Sequence, residues 1–262
     1  MLTPVLTNVE EAVSEIKPGS TVGIGSILNS SRPMAFVREI VRREIGDLHI
    51  VGLASGLEVD MLIAAGLVRR VSTPTVSAEG LRPIAPAFQA AVQYGEIEVW
   101  ECDEEMILAA LQTLDLDVAL CHVSRADIYG NVQPQSSDLG NRAMARAAKR
   151  VFCSSDRIVG SHEIRSEAGL APIARVDNVV HAPFGAHPFA SPGRYIQDVQ
   201  FLRDYLEACE NWTATGNRWG LDDFFDRWIS GPAGHFAYLS QVGPAALYGL
   251  EEGLNMPGAS AA

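Results

Sequence analysis

The chain has 262 residues, 47% of them hydrophobic and 20% charged, which suits a globular protein with a sizeable core and excludes both a disordered chain and a disulfide-stapled miniprotein. With 20 Lys and Arg against 32 Asp and Glu, the formal net charge is −12, so a phosphate backbone would be repelled and no nucleic-acid partner is expected. No run approaches the roughly 18 apolar residues of a membrane helix, and MLTPVLTNVEEAVSEIK lacks a basic end followed by an apolar stretch, so neither a membrane partner nor secretion is expected.

Strand-like and helix-like stretches alternate along the chain. Thr21 to Gly25 (TVGIG) predicts a short buried strand, and Pro33 to Arg43 an amphipathic helix with Pro in its first turn. Leu48 to Gly52 is the next strand and Glu58 to Ala65 the next helix, with Gly66 placed to end it in a left-handed conformation. Ala85 to Gln93 reads as a helix ended near Gly95, Glu98 to Trp100 as a strand, Asp103 to Leu111 as a helix and Val118 to Val123 as a strand. A turn at Asp127 to Asn131 follows, with Asn131 suited to an Asx-type turn. An Ala-rich helix at Asn141 to Lys149 then precedes strands at Arg150 to Cys153 and Asn178 to His181. From Tyr195 the chain becomes helical and aromatic, up to a tail after Pro257. The pattern implies one α/β domain over residues 1–262, a mostly parallel sheet with helices on both faces, and a helical C-terminal region over about 195–256.

The cysteines Cys102, Cys121, Cys153 and Cys209 are scattered without a C-x-x-C pair, which suits reduced thiols in the cytoplasm and suggests no zinc or other metal site. Gly-x-Ser-x-Gly, His-Glu-x-x-His and P-loop patterns are absent. The passage KPGSTVGIGSILNSSRP, Lys17 to Pro33, runs from a strand into a small-residue loop, where the carboxyl edge of a parallel sheet binds ligands. Its Gly23-x-Gly25 lacks the third glycine of a dinucleotide fingerprint, which excludes a nicotinamide reading.

With its flanks, this passage resembles the N-terminal signature of class I coenzyme A transferases: Gly19, Val22, Ile24, Gly25 and Pro33 match, while Ser26, Ile27 and Ser31 replace a Gly, a Phe and a Gly. RPMAFVREIV (32–41), DLHIVG, DMLIAAGLVRRV, AEGLRPIAPAFQAAVQYGEIEVWE (78–101), ADIYGNVQ (126–133) and VDNVVHAPFGAHP (176–188) resemble, in order, α-type subunits of the glutaconate CoA-transferase branch. RPMAFVREI and DEEM also look like segments of the ring-opening CoA-thioester hydrolases of bacterial steroid breakdown. The Ser-Glu-Asn-Gly motif that carries the nucleophilic glutamate of the partner-type subunit is absent. The long Gly/Pro-rich loop of α-type subunits is also absent, since Leu111-Gln112-Thr113 runs almost directly into the next strand.

The resemblance implies an α-type subunit paired with a β-type subunit in a heterodimer or heterotetramer, with coenzyme A as substrate, acyl-CoA as ligand and no tightly bound cofactor. Covalent catalysis would run through a partner glutamate, while this chain supplies pocket wall, acyl contacts and donors from Gly25 and Ser26. The acidic net charge opposes CoA binding unless a local pocket or the partner supplies cations. Ser31, Arg32, Ser77, Glu79 and His187 complete the expected substrate-binding set. Glu79, in a small-residue loop, reads either as a site carboxylate or as a capping or ion-paired glutamate near Arg82. Glu104 opens a helix, where acidic residues favour the dipole, or faces the cleft as the acid/base of a hydrolase. His187 and His122 read as substrate-orienting groups or as histidines satisfied in turns. CoA transfer is the expected activity, with CoA-thioester hydrolysis or a non-catalytic scaffolding subunit as alternatives.

Overall fold

The computed structural model describes residues 3–25, 29–133, 139–166 and 176–253. In chain order the elements are β1 (Leu6–Thr7), α1 (Val9–Ser14), β2 (Thr21–Ile24), α2 (Met34–Arg42), β3 (Leu48–Val51), α3 (Leu57–Ala64), β4 (Val68–Ser72), α4 (Pro86–Tyr94), β5 (Glu98–Trp100), α5 (Glu104–Ala110) and β6 (Leu116–Val123). They continue with β7 (Arg125–Ala126), β8 (Val132–Gln133), α6 (Leu139–Ala147), β9 (Ala148–Ser155), α7 (Ser161–Ser166), β10 (Asn178–His181), α8 (Val199–Thr215), α9 (Trp219–Trp228), α10 (His235–Val242) and α11 (Pro244–Glu252).

Eight strands form one parallel sheet in the order β1-β10-β9-β6-β2-β3-β4-β5, and β7 and β8 form a separate antiparallel pair. The expected parallel α/β fold with C-terminal helices is therefore the fold observed. Successive residues of a strand point to opposite faces, and β6 shows this directly. Val118 and Leu120 join the cluster that includes α1–α4 and the C-terminal helices, whereas Ala119, Cys121 and Val123 join the one under α5 and α6.

Local punctuation agrees with the sequence. Gly66 and Gly95 adopt the left-handed conformation after α3 and α4, with φ of 73° and 69°. Asp103 caps α5 by accepting a hydrogen bond from the Met106 N–H at 2.8 Å. The expected Asx turn has a different head: Asp127 Oδ1 accepts from the N–H groups of Tyr129 and Asn131, and the Asn131 amide donates to Asp127 Oδ2. Its carboxylate satisfies three donors, which an Asn131-headed turn would leave open. Between α5 and β6 only residues 111–115 intervene.

Of the C-terminal aromatics, Tyr195, Phe201, Tyr205, Phe224, Phe225 and Tyr238 are buried, while Trp219, Phe236 and Tyr248 are exposed. Tyr205 ties α8 to Asp60 of α3, and Tyr238 of α10 packs under Arg38 of α2, whose residues 34–41 are all buried, Glu39 among them. No helix among the described residues is long and apolar enough to cross a membrane.

Candidate active site at the carboxyl edge

After β2 the chain proceeds through β3, β4 and β5 in one direction, and it returns to β6 on the other side of β2. The loops leaving β2 and β6 therefore diverge, and the crevice outside their carboxyl ends is where open α/β sheets bind ligands. Gly25 stands at that point, its N–H donated to Leu120 O at 2.8 Å. A Cβ there would overlap Asn141 Oδ1, the side chain of a residue in the first turn of α6. Ser26 lies outside the described residues.

The chain re-enters at Asn29, which gathers three loops. Its carbonyl accepts from Ala190 N at 3.1 Å, and its amide donates to Glu79 O at 2.8 Å. Ser31 has a φ of 56° and donates its N–H to Ala190 O at 2.8 Å, so the serine in place of a glycine holds a left-handed turn. Arg32 is 2% exposed, ion-paired with the fully buried Glu58, bonded to Ala54 O at 2.8 Å, and 5.8 Å from the centre of the Phe189 ring. Burial lowers its pKa and the Glu58 carboxylate opposes that. Glu58 also accepts from the Gly56 N–H through both oxygens.

Ser77 is half-buried and donates its N–H to Ser55 O at 3.1 Å. Glu79 is exposed, and its charge acts on Arg32. The ion pair expected between Glu79 and Arg82 is not formed, because Arg82 reaches Glu210 of α8 at 2.7 Å instead. Glu104 is exposed at the start of α5. Gly25, Arg32, Ser77, Glu79 and Glu104 thus all lie on the carboxyl-edge side of the sheet, in loops or first turns that follow β2, β4 and β5.

The histidines are placed differently. His187 is 0% exposed, with Nδ1 2.5 Å from the Tyr238 hydroxyl and Nε2 3.2 Å from Asp198 Oδ2. Desolvation holds its pKa down, and with both nitrogens occupied it is not positioned to meet a substrate carboxylate as expected. His122 lies 2.9 Å from Ser154 Oγ and 3.2 Å from Asp156 Oδ2, the sequence of groups in a nucleophilic triad. All three are 4% exposed or less, and Ser191 Oγ donates to the same Asp156 oxygen at 2.5 Å, so the cluster is sealed in the core. His235 contacts Arg38 and Pro183 O, and burial beside the Arg38 cation lowers its pKa to about 3. Among the described residues no group of three or more His, Cys, Asp or Glu is placed to hold a metal ion.

Sequence reasoning missed Asn29 as a junction of loops and read Asn141 only as the start of a helix. Neither sits in a chemical motif, and the only available signal was that small polar residues near strand ends converge at such an edge.

The coenzyme A transferase family model matches residues 6–113. The IpdA component of the cholesterol ring-cleaving hydrolase of Mycobacterium tuberculosis is 29% identical over 282 aligned positions, covering 86% of this chain and 93% of that protein. A glutaconate CoA-transferase polypeptide from Acidaminococcus fermentans is 24% identical, with 95% of each chain covered. An uncharacterized protein of Archaeoglobus fulgidus is 28% identical over 90% of this chain, which spans only 62% of that relative's length. The crystal structure of glutaconate coenzyme A-transferase from Acidaminococcus fermentans superposes with a TM-score of 0.86 at 22% identity over 94% of this chain and 95% of that one, which shows a shared fold. The family model matches the N-terminal part of the chain, and the relatives and the shared fold extend the likeness over most of its length, so the chain is similar to coenzyme A transferases of the glutaconate type and to the IpdA component of the ring-cleaving hydrolase.

Proposed function

We propose that this chain is the α-type subunit of a cytoplasmic heteromeric CoA transferase, pairing with a β-type subunit in a heterodimer or heterotetramer and moving CoA between acyl and carboxylate substrates. The observation that carries the reading is the unequal furnishing of the carboxyl edge. Arg32 is locked to Glu58 and the serine–histidine–aspartate cluster is sealed, so the accessible carboxylates described there, Glu79 and Glu104, stand at an open rim. A nucleophilic carboxylate needs enclosure and positioned donors, since water would otherwise hydrolyse its anhydride. On this reading the enclosure and the nucleophile come from the partner.

The partner glutamate attacks the thioester carbonyl, the C–S bond breaks, and CoA leaves as thiolate with formation of a mixed anhydride. The thiolate then attacks the glutamyl carbonyl, which releases the first carboxylate and leaves an enzyme-CoA thioester. A second carboxylate reverses both steps. In the test, the protein is purified with any accompanying subunit, incubated with acyl-CoA and trapped with borohydride or hydroxylamine. The expected modification is on a partner glutamate. A modified glutamate in this chain, or full turnover by this chain alone, overturns the reading.

Hydrolysis of a CoA thioester is the second reading. It is favoured by the exposed Glu104 at the start of α5 and by likeness to proteins named for ring-cleaving hydrolysis.

A further inference from the structure

Between α1, α2 and the turn that joins α9 to α10 lies a cavity of about 10 Å³, whose lining includes Arg38, Glu39, Arg42, Gly234, His235 and Tyr238. Arg38 is 5% exposed. Its Nη1 donates to His187 O at 2.8 Å, its Nη2 lies 3.3 Å from His235 Nδ1, and its Cζ stands 3.7 Å from the centre of the Tyr238 ring. His235 Nε2 lies 2.7 Å from Pro183 O and must donate to it, so Nδ1 is the acceptor for Arg38 and the ring is neutral. Two of the five guanidinium N–H donors are thereby used, both on neutral acceptors. Among the described residues no carboxylate is ion-paired with Arg38. Burial lowers its pKa, yet an arginine starts so high that it stays charged at neutral pH. A buried cation without a counter-ion is costly, and this one borders an open space.

The neighbouring charges leave the same remainder. Glu39 also lines the cavity, but its carboxylate is taken up by Arg42 and Arg43. Glu10 acts electrostatically on Arg42, and its Oε1 lies 2.8 Å from where a Cβ on Gly234 would stand. Three arginines, Arg38, Arg42 and Arg43, thus face two carboxylates, Glu39 and Glu10, and one positive charge is left over. The first turn of α10 also opens here, and its N-cap Gly234 offers no side chain to accept from the helix N–H groups.

We propose that this cavity is a halide site, in which one chloride ion accepts from the Arg38 guanidinium. Its size suits a single body of about the dimensions of water, which excludes phosphate and organic carboxylates, and one monovalent anion closes the charge balance. The site is independent of the acyl-transfer reading. Arg38 holds His187 O, in the turn whose Ala190 clasps Asn29 and Ser31, so the ion braces the carboxyl-edge loops from beneath.

The test melts the protein, purified with any accompanying subunit, while chloride replaces gluconate at constant ionic strength. Wild type should gain about 3 °C, saturably, by about 0.2 M chloride, whereas Arg38→Met should gain nothing. Crystals of wild type grown in bromide should show one anomalous peak at the Arg38 guanidinium, a measurement that stands even if the variant does not fold. An equal gain in Arg38→Met, or bromide bound only elsewhere, places the ion at another site and overturns the proposal. No gain and no peak leaves the cavity to water and overturns it as well.

Discussion

Tyr205 donates its hydroxyl hydrogen bond to Asp60 Oδ2 at 2.8 Å, joining α8 to α3 through a carboxylate that also accepts the Phe88 N–H of α4 at 2.7 Å. Asp60 is 0% exposed, and desolvation raises its pKa to about 6 despite these bonds.

The sign of the resulting pH dependence follows from that shift. Because the folded pKa lies above the unfolded one, the native state holds a proton that the unfolded chain has already lost. Stability from this group therefore declines as pH rises from about 4 to about 6 and stays low above, by at most about 3 kcal/mol. Asp60→Asn removes the titration while its amide oxygen accepts from Phe88 and its amide nitrogen donates to the Tyr205 oxygen. The variant should melt at or above wild type at pH 7.5, with its advantage shrinking toward pH 4. A wild-type-minus-variant difference in melting temperature that does not change with pH would refute this.

Gly25→Ala should destabilise the fold by about 1–3 kcal/mol through overpacking, since the new methyl overlaps Asn141 Oδ1 and lies 3.0 Å from Asn141 Cγ. In an Asn141→Ala background the cost should fall by more than half, read as a coupling in a double-mutant cycle of urea unfolding. Additive effects would mean that the clash is relieved elsewhere.

Arg32→Met leaves Glu58 buried with only backbone N–H partners and should cost about 3–5 kcal/mol. Arg32→Met combined with Glu58→Met removes the stranded charge as well and should be more stable than Arg32→Met alone in the same denaturation measurement. A double variant less stable than the single one would show that the ion pair stabilises the fold beyond its own desolvation.

Glu104→Gln and Glu79→Gln, measured side by side in the reconstituted complex, separate the two enzymatic readings. For a transferase, loss of a helix-start or rim charge costs at most about 1 kcal/mol, so turnover should fall only several-fold. For a hydrolase that moves protons through Glu104, turnover should fall about a hundred- to ten-thousand-fold. Collapse for Glu104→Gln alone, with unchanged melting, would replace transfer by hydrolysis.

Much of the architecture is local and was legible. Glu98–Trp100 and Asn178–His181 form strands with the expected bounds, and Gly66 and Gly95 end helices where the pattern places them. Periodicity and helix punctuation act over a few residues, so a sequence displays them. The strand Val68–Ser72 was missed because its two arginines interrupt the apolar run, and β1, β7 and β8, at two residues each, are too short to show a period.

That Gly25, Arg32, Ser77, Glu79 and Glu104 share one edge was also implicit, because every strand of a parallel sheet delivers its following loop to the same side. Which side chains meet at that edge was not. The insertion of β6 between β9 and β2 brings Asn141 against Gly25 and His122 beside Asp156, and the docking of the C-terminal helices turns Arg82 toward Glu210 and buries His187 under Tyr238. These pairs are separated by tens to more than a hundred residues along the chain. Sequence by itself determined the elements and the edge at which they present polar residues. Only tertiary packing decided which of those residues are neutralised in the core and which face the crevice, because burial and pairing depend on strand order and helix docking, which no local pattern encodes.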